Sequence, residues 1–492
     1  MGPGRPLIES HPDLVASFLS DAAQVPGGHA AGVAFPKNVD EVAALVRDAA
    51  RVLPVGAQSS LTGGATPRGD VVLSTRALTE IEIVDADRVR AGAGVPLAEL
   101  QRALAARGRY YPPVPTYDGA FVGGTISTNA AGAATFKYGS ARPWVLALTV
   151  VLAGGTVLRI ARGERRAASL VPVPTYVMPD VQKLSAGYYA KPGMDLVDLF
   201  VGSEGTLGVI TDATLRIVAL PRKCGALVTC ESDAQAVAVT GALRDAATRA
   251  WRGDGPLDVA AVEYMDARAL SRVPDDAFAR ANVPRPPAGQ VMLLVQLEMG
   301  TSDDDTLTAF ADLLTSCGVE SDPVLALPGD DRGLARMFEL REAVPSSVNR
   351  HIAAVKARVH PDIHKTAGDM IVPFDRLEES IALYRRLFEA RNLEYAIWGH
   401  VSDGNLHPNV VPGSMHDVEA GHEVILEMAR AVVAMGGAPL AEHGVGRSAL
   451  KQRLLKELYG EQGIEQMRAV KRALDPQWKL SAGVLFTPEG GS

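Results

Sequence analysis

Cysteine is nearly absent: Cys224, Cys230 and Cys317 are the only three in 492 residues. So few exclude a disulfide framework, a four-cysteine zinc site and a cysteine-ligated iron–sulfur cluster, and they fit a reducing compartment. Positive charge is in deficit as well. Lys+Arg total 49 against 57 Asp+Glu, a net charge of −8. A chain without a basic excess has little with which to neutralise phosphates, so no nucleic-acid partner is expected. Long apolar runs are missing. The longest uncharged stretch, 144–158, is too short for a bilayer and is interrupted by Gly154-Gly155, so it reads as buried strand and turn. Residues 1–13 hold no apolar core of a signal peptide. The expectation is a cytoplasmic protein without a transmembrane segment, with peripheral membrane contact left open.

What the chain does have is bulk and glycine. Hydrophobic residues make up 47% and charged residues 22%, so a large core can be buried and general disorder is excluded. The length suggests about two or three domains. Many of the 48 glycines gather in three early stretches. The first is Pro54-Val55-Gly56-Ala57-Gln58-Ser59-Ser60-Leu61-Thr62-Gly63-Gly64. The second runs over 119–139 and contains Gly123-Gly124-Thr125, Thr128-Asn129 and Gly132. The third is Gly202-Ser203-Glu204-Gly205-Thr206-Leu207-Gly208-Val209-Ile210. Apolar β-branched runs flank each one. Glycine lets a backbone approach a ligand closely, and successive free N–H groups in such turns bind anions. Three such turns suit a ligand with a pyrophosphate and several ring edges. No Walker-type phosphate loop is present, and Gly92-Ala93-Gly94 has Leu97 where a dinucleotide fingerprint needs its third glycine.

Between the turns, periodicity places helices at 40–51, with Asp40 as N-cap, and at 96–107, between Pro96 and Gly108. The stretch 162–194 breaks the pattern and reads as a long excursion. Beyond Pro221 strands and helices alternate: strands at 226–230 and 291–297, helices at 234–249, 377–390 and 417–435, and a connector at 277–290.

Eight of the ten histidines lie beyond residue 350. Two groups carry chemistry: Gly399-His400-Val401-Ser402-Asp403-Gly404-Asn405-Leu406-His407-Pro408-Asn409 and Glu442-His443-Gly444-Val445-Gly446. One unbroken strand would put His400 and His407 on opposite faces, but Asp403-Gly404-Asn405 is a turn signature that can bring both imidazoles to one side. Two imidazoles and a carboxylate suit Zn²⁺, Mn²⁺ or Fe²⁺, with Glu442 the natural third ligand. The plainer reading, histidines serving only core and turn, stays open. His360 and His364 lack the glutamate of a helical zinc motif and read as surface or core residues.

These motifs resemble the vanillyl-alcohol-oxidase type of flavoproteins, in the branch of D-lactate, glycolate and D-2-hydroxyglutarate dehydrogenases. The resemblance implies an α+β fold: a two-subdomain PCMH-type FAD-binding domain at 1–221, an α/β cap with an antiparallel sheet at 222–440, and a C-terminal helical segment at 441–492 returning to the flavin site. It implies FAD held by Pro54, Gly56, Ala57, Gln58, Ser59, Ser60, Leu61, Thr62 and Gly63, then Pro115 and Thr116. The later segments would add Gly123, Gly124, Thr125, Thr128, Asn129, Gly132, Tyr138, Gly139, Glu204, Gly205, Gly208, Val209 and Ile210. His29 is the only histidine between residues 12 and 350 and no cysteine precedes residue 224, so non-covalent FAD is expected.

By the same resemblance His400, His407 and Glu442 bind a divalent metal and His443 is the base. Arg341 holds the substrate carboxylate, a task suited to its planar fork. Lys365 assists it, and Asn409 supports the site or touches substrate. The sequence departs from the family pattern at Pro345, where a polar residue is common, at the spacing of Lys365 from Asp369, and at Ser481-Ala482-Gly483-Val484, where the family has Asn-Pro-Gly-Lys.

The implied reaction oxidises a D-2-hydroxy acid to a 2-oxo acid by hydride transfer to flavin. The electron acceptor (quinone, cytochrome, electron-transfer flavoprotein or O₂) and a homodimer are left open. The competing readings are a metal-independent FAD alcohol or sugar oxidase, a non-redox transferase like alkylglycerone-phosphate synthase, and a flavin binder without catalysis. The transferase carries a run of consecutive histidines that is missing here.

Overall fold

The structure, a computed structural model, describes residues 6–164 and 167–488. Residues 1–5 and 489–492, at the ends of the expected domains, and 165–166, inside the 162–194 excursion, lie outside the described residues.

The first sheet orders its strands Ile8–Glu9, His29–Ala34, Arg68–Ser74, Val52–Val55, with the last three parallel. The helix Val39–Asp48 covers it. Its cap is Asn38, not Asp40: Asn38 is extended and its side chain accepts the Glu41 N–H, while Asp40 sits in the first turn, where negative charge meets the helix dipole. Val42, Leu45 and Val46 form the buried stripe that packs on Val52 and Leu73. A five-stranded antiparallel sheet follows, ordered Ile81–Ile83, Arg88–Gly92, Val209–Arg216, Val145–Val151, Val157–Ala161. The apolar stretch 144–158 is thus two strands and a turn. The glycine-rich segments gather around the cleft between these sheets and the second half of the chain.

The second half is built on an eight-stranded antiparallel sheet. Its order is Val324–Ala326, Lys223–Cys230, Val291–Glu298, Asp258–Met265, Tyr395–His400, Asn405–Val410 and Thr366–Ala367, with Met370–Ile371 also paired to Asn405–Val410. Alternation along each strand feeds two cores. Leu293, Val295 and Leu297 face a layer containing the helices Asp233–Ala250 and Leu377–Glu389. Met292 and Leu294 face Ala267–Arg272, Asp275–Ala281 and the long helix Asp331–Arg358. The expected connector 277–290 therefore begins as the end of a helix.

After the helix Met415–Ala434 the chain pairs with Asp369 and Ile371 through Leu440 and Ala438. It then runs through Ala449–Leu474, two helical pieces joined at Gly460 (φ 66°), and returns to the first sheet, where Leu480 bridges Val52. Buried Lys471 ties this return. Its Nζ donates to Asp475 at 2.6 Å, to the Thr206 carbonyl at 2.6 Å and to the Leu480 carbonyl at 2.8 Å. Lys471→Met would leave the buried Asp475 carboxylate with its two backbone N–H donors but no counter-cation, and two carbonyls without a donor, so a loss of about 3–5 kcal/mol is expected. Urea unfolding of the full chain measures it, and a loss below about 1 kcal/mol would show that the tail is held by other contacts.

Candidate active site

The site starts from a hairpin. Val401–Asp403 forms a single helical turn and Gly404 takes φ 82°, where a Cβ would sit 2.2 Å from the Val372 carbonyl. The hairpin pairs His400 with Asn405 and Trp398 with His407. Ala396, Trp398 and His400 then share one sheet face with Asn405, His407 and Asn409. Glu263, opposite His400 on the neighbouring strand, lies on that face too. The helix Asp331–Arg358 covers it and brings Arg341 over Glu263.

The third histidine, His443, arrives on a loop gripped by two carboxylates. Fully buried Asp369 accepts the backbone N–H groups of Glu442 and His443, both at 2.9 Å, on one oxygen. Glu204, in the third glycine-rich segment, accepts those of Val445 and Gly446, both at 2.8 Å. Gly446 is required where it stands, because a Cβ there would lie 2.3 Å from Thr62 Oγ1.

Three imidazoles converge on one oxygen. Glu442 Oε1 is 3.2 Å from His400 Nε2, 3.2 Å from His407 Nε2 and 3.5 Å from His443 Nε2. Bonds of about 2.0–2.1 Å at near-tetrahedral angles would put ligand atoms roughly 3.2–3.4 Å apart, and His400 and His407 each stand at such a distance from Glu442. Among the described residues, the four whose ligand atoms all lie within 4.8 Å of one another are Asp369, His407, Glu442 and His443, a group without His400. Asp369, however, spends its oxygens on N–H donors, including Asn405 Nδ2 at 3.2 Å, and acts as an outer carboxylate. His400 Nδ1 bonds Glu263 and His443 Nδ1 lies 3.3 Å from Asp369, arrangements that leave both Nε2 atoms facing Glu442. His407 Nδ1 is 3.6 Å from Asp369, too long for a hydrogen bond.

The charges sort accordingly. Burial alone would raise the Glu263 carboxyl, but His400 and Arg341 outweigh it and hold it at about 2. Burial would depress His400, yet Glu263 lifts it to about 9. Burial pushes His443 down to about 4 in spite of Asp369 and Glu442, leaving it a neutral imidazole near pH 7. Burial, with Lys451 and Arg341 nearby, lowers Lys365 to about 8.

Arg341 is buried, with Nε 2.7 Å from Glu263 and Nη1 2.6 Å from Glu342. Lys365 Nζ lies 5.1 Å above the Trp398 ring. Pro345 sits inside the same helix as Arg341 and has no N–H to offer the Arg341 carbonyl one turn back. Asn409 donates to the His407 carbonyl at 2.6 Å, and its buried Oδ1 has no partner among the described residues.

One cleft of about 800 Å³ joins all of this to the glycine-rich loops. Pro54, Gly56, Ala57, Gln58, Ser59, Ser60, Leu61, Pro115, Thr116, Gly123, Gly124, Thr125, Thr128, Glu204, Gly205, Gly208, Val209 and Ile210 line one side. Arg341, Pro345, Lys365, Trp398, His400, His407, Asn409, Glu442 and His443 line the other. Nothing lies within 4 Å of a Cβ built on Gly124, so the cradle is open there.

Six expected cofactor residues are not on the cleft wall. Thr62 and Gly63 pack against the 446–447 loop and Val25. Asn129 spends its amide on Leu184 and Arg142, and Gly132 packs on the Val114 carbonyl. Tyr138 donates to Glu298 on the large sheet, and Gly139 ends its short helix at φ 71°. His360 and His364 are exposed, with His364 Nε2 3.3 Å from His422 Nε2.

Sequence reasoning missed Glu263, Glu204 as a loop clamp, and Lys183. Lys183 comes from the 162–194 excursion, is fully buried and lies 2.7 Å from Glu442 Oε2. Its stretch is held by Ser185, which bonds the Thr128 and Leu440 carbonyls. A lysine inside an aperiodic segment carries no signal of burial.

The chain matches a family of FAD binding domains over residues 30–161 and the C-terminal domain of FAD linked oxidases over residues 222–485. It belongs to the FAD-linked oxidases and is an FAD-dependent oxidoreductase. Its relatives place it in the branch of D-2-hydroxy-acid dehydrogenases. It is 32% identical to a D-lactate dehydrogenase of Archaeoglobus fulgidus, over 91% of this chain and 89% of that protein. It is 29% identical to a probable mitochondrial D-lactate dehydrogenase of Danio rerio, over 92% and 83%. It is 28% identical to a D-2-hydroxyglutarate dehydrogenase of Stutzerimonas stutzeri, over 98% and 96%. Among solved structures it resembles alkyldihydroxyacetonephosphate synthase, with a TM-score of 0.59 over 91% of this chain and 75% of that one, at 15% identity. That likeness is one of fold alone. No described helix is long and apolar enough to cross a membrane.

Burial raises the Glu204 carboxyl from 4.5 to about 7, more than its two N–H donors lower it. A carboxyl raised on folding contributes fully below its unfolded value and loses that contribution as pH climbs through the folded one. Relative to Glu204→Gln, the wild type should therefore lose roughly 2–3 kcal/mol of stability as pH rises from about 4.5 to about 7.5. Unfolding of both forms at several pH values tests this, and a difference independent of pH would place the titration elsewhere.

Proposed function

We propose that the protein oxidises a D-2-hydroxy acid to the 2-oxo acid, using non-covalent FAD and a divalent cation held by His400, His407 and Glu442. The observation that carries this reading is the convergence of three imidazole Nε2 atoms within 3.5 Å of one Glu442 oxygen, beside Arg341 and Lys365 and across the cleft from the glycine-rich loops.

When bound, FAD supplies the hydride acceptor and the cation lowers the pKa of the substrate hydroxyl. The chain's own residues do the rest. Arg341 and Lys365 draw the carboxylate to the large sheet. His443 Nε2 takes the hydroxyl proton, with the Asp369 carboxylate 3.3 Å from Nδ1 to stabilise the imidazolium that forms. Asn409 offers a buried acceptor next to His407. Phe121, Pro345 and Trp398 line the cleft with carbon and limit water around Cα. The relatives named for D-lactate and D-2-hydroxyglutarate support the reaction class.

Anaerobic loss of flavin absorbance near ~450 nm is the test, the ring being the redox centre. A panel of D- and L-2-hydroxy acids is added with and without chelator. Bleaching by a D-acid that chelator prevents is expected; bleaching indifferent to chelator would remove the cation from the reaction. His443→Ala should cut turnover by about 10²–10⁴ with FAD still bound. Arg341→Ala would also strip Glu263 of a partner, so Arg341→Lys is the cleaner probe. It keeps a cation but loses the fork, and KM for the acid should rise more than kcat falls. An unchanged KM would take Arg341 out of substrate binding.

A further inference from the structure

Lys183 is a buried cation that has no part in the reaction above but touches its carboxylate. Its side chain is 0% exposed, its Nζ is 2.7 Å from Glu442 Oε2 and 3.2 Å from Asp403 Oδ2, and Asp403 itself is fully buried. The other Glu442 oxygen, Oε1, is the one that faces His400 and His407 at 3.2 Å. The two carboxylate oxygens therefore have separate duties, one toward an ammonium and one toward the imidazoles.

We propose that Lys183 is a positioning residue that makes Glu442 a one-oxygen ligand. By occupying Oε2 it blocks two-oxygen coordination and fixes the carboxylate plane so that Oε1 points between the histidines. Asp403, from the hairpin turn that also sets His400, holds the lysine from its other side. A hydrogen-bonded partner of a ligating carboxylate commonly contributes about 10–100-fold to metal affinity. The backbone supports this placement. Ser185 Oγ donates to the Thr128 carbonyl at 2.8 Å and Asn129 Nδ2 to the Leu184 carbonyl at 3.1 Å, so the strap that carries Lys183 is pinned to the second glycine-rich segment. The 162–194 excursion thereby spans from the flavin side of the cleft to the His/Glu set.

This inference rests on the cation proposed above, and the experiment separates the two. Flavin-loaded wild type, Lys183→Met and Lys183→Gln are stripped with chelator and titrated with Co²⁺. Bound metal is measured by mass spectrometry and coordination by the visible d–d spectrum. Wild type should bind Co²⁺ one-to-one. Lys183→Met should bind it about 10–100-fold more weakly, with an altered spectrum as Oε2 becomes free to coordinate, and with an unchanged FAD ratio. Lys183→Gln, which keeps one N–H donor, should fall between them, and it decides the matter if the methionine variant does not fold. Wild-type affinity and spectrum in either folded variant would overturn the role of Lys183 alone. A wild type that takes up no Co²⁺ would overturn the cation set and this inference together.

Discussion

Four backbone N–H groups, from Glu442, His443, Val445 and Gly446, are taken up by two carboxylates, and the site depends on that grip. Asp369 belongs to the large sheet and Glu204 to a glycine-rich segment of the first half. The loop they hold carries the glutamate toward which the histidines point. Without both clamps the loop would expose unpaired donors in a buried cleft, a cost of about 1–3 kcal/mol for each. The polar satisfaction of one short loop thus fixes the distance between the glycine-rich wall and the His/Glu wall.

The same site shows how charge is carried into a core. Glu263, Asp369 and Asp403 are buried and Glu442 is half-buried, and each faces a cation or several N–H donors: Arg341 and His400, Lys451 with backbone amides, Lys183, and Lys183 again. Alternation of sign is what makes this tolerable, since one unpaired buried charge costs several kcal/mol. It also fixes geometry. Glu263 at His400 Nδ1 and Asp369 near His443 Nδ1 leave both Nε2 atoms facing Glu442. A preformed set of this kind loses little order when a small acid binds, whereas a site assembled on loose side chains would lose much of its affinity to ordering.

Much of this was legible in the sequence, for physical reasons that can be named. The Asp403-Gly404-Asn405 turn announces a hairpin, and pairing in a hairpin decides which of its residues share a face. Apolar β-branched runs announce strands, and stripes such as Val42, Leu45 and Val46 announce helices. What failed to show was whatever depends on long-range partners. Asn38 displaced Asp40 as cap because cap choice turns on one φ angle. The helix Asp331–Arg358 was overlooked although Met337, Leu340, Val344 and Val348 have helical spacing, because Pro345 interrupts the pattern without ending the helix. Tyr138 sits beside the flavin-type motif, yet its hydroxyl crosses to Glu298, a partner 160 positions away. Lys183 and Glu263 become site residues only through the strands and strap around them.

The fold and the site answer different questions. Alkyldihydroxyacetonephosphate synthase shares the architecture over 91% of this chain at 15% identity, so the two packed halves and the cleft between them do not choose the chemistry. The choice is made on one sheet face. A cleft with glycine loops on one wall can hold a flavin against whatever the opposite wall presents. Here that wall presents two imidazoles, a carboxylate fixed by an ammonium, a neutral imidazole and two cations. In the reading proposed above, a hydroxyl beside a carboxylate would use all of them at once: the hydroxyl oxygen at the His/Glu set, its proton at His443, and the carboxylate at Arg341 and Lys365. An alcohol without the acid would leave those two cations unpaired in the cleft. An acid without the hydroxyl would leave the histidines with nothing to do.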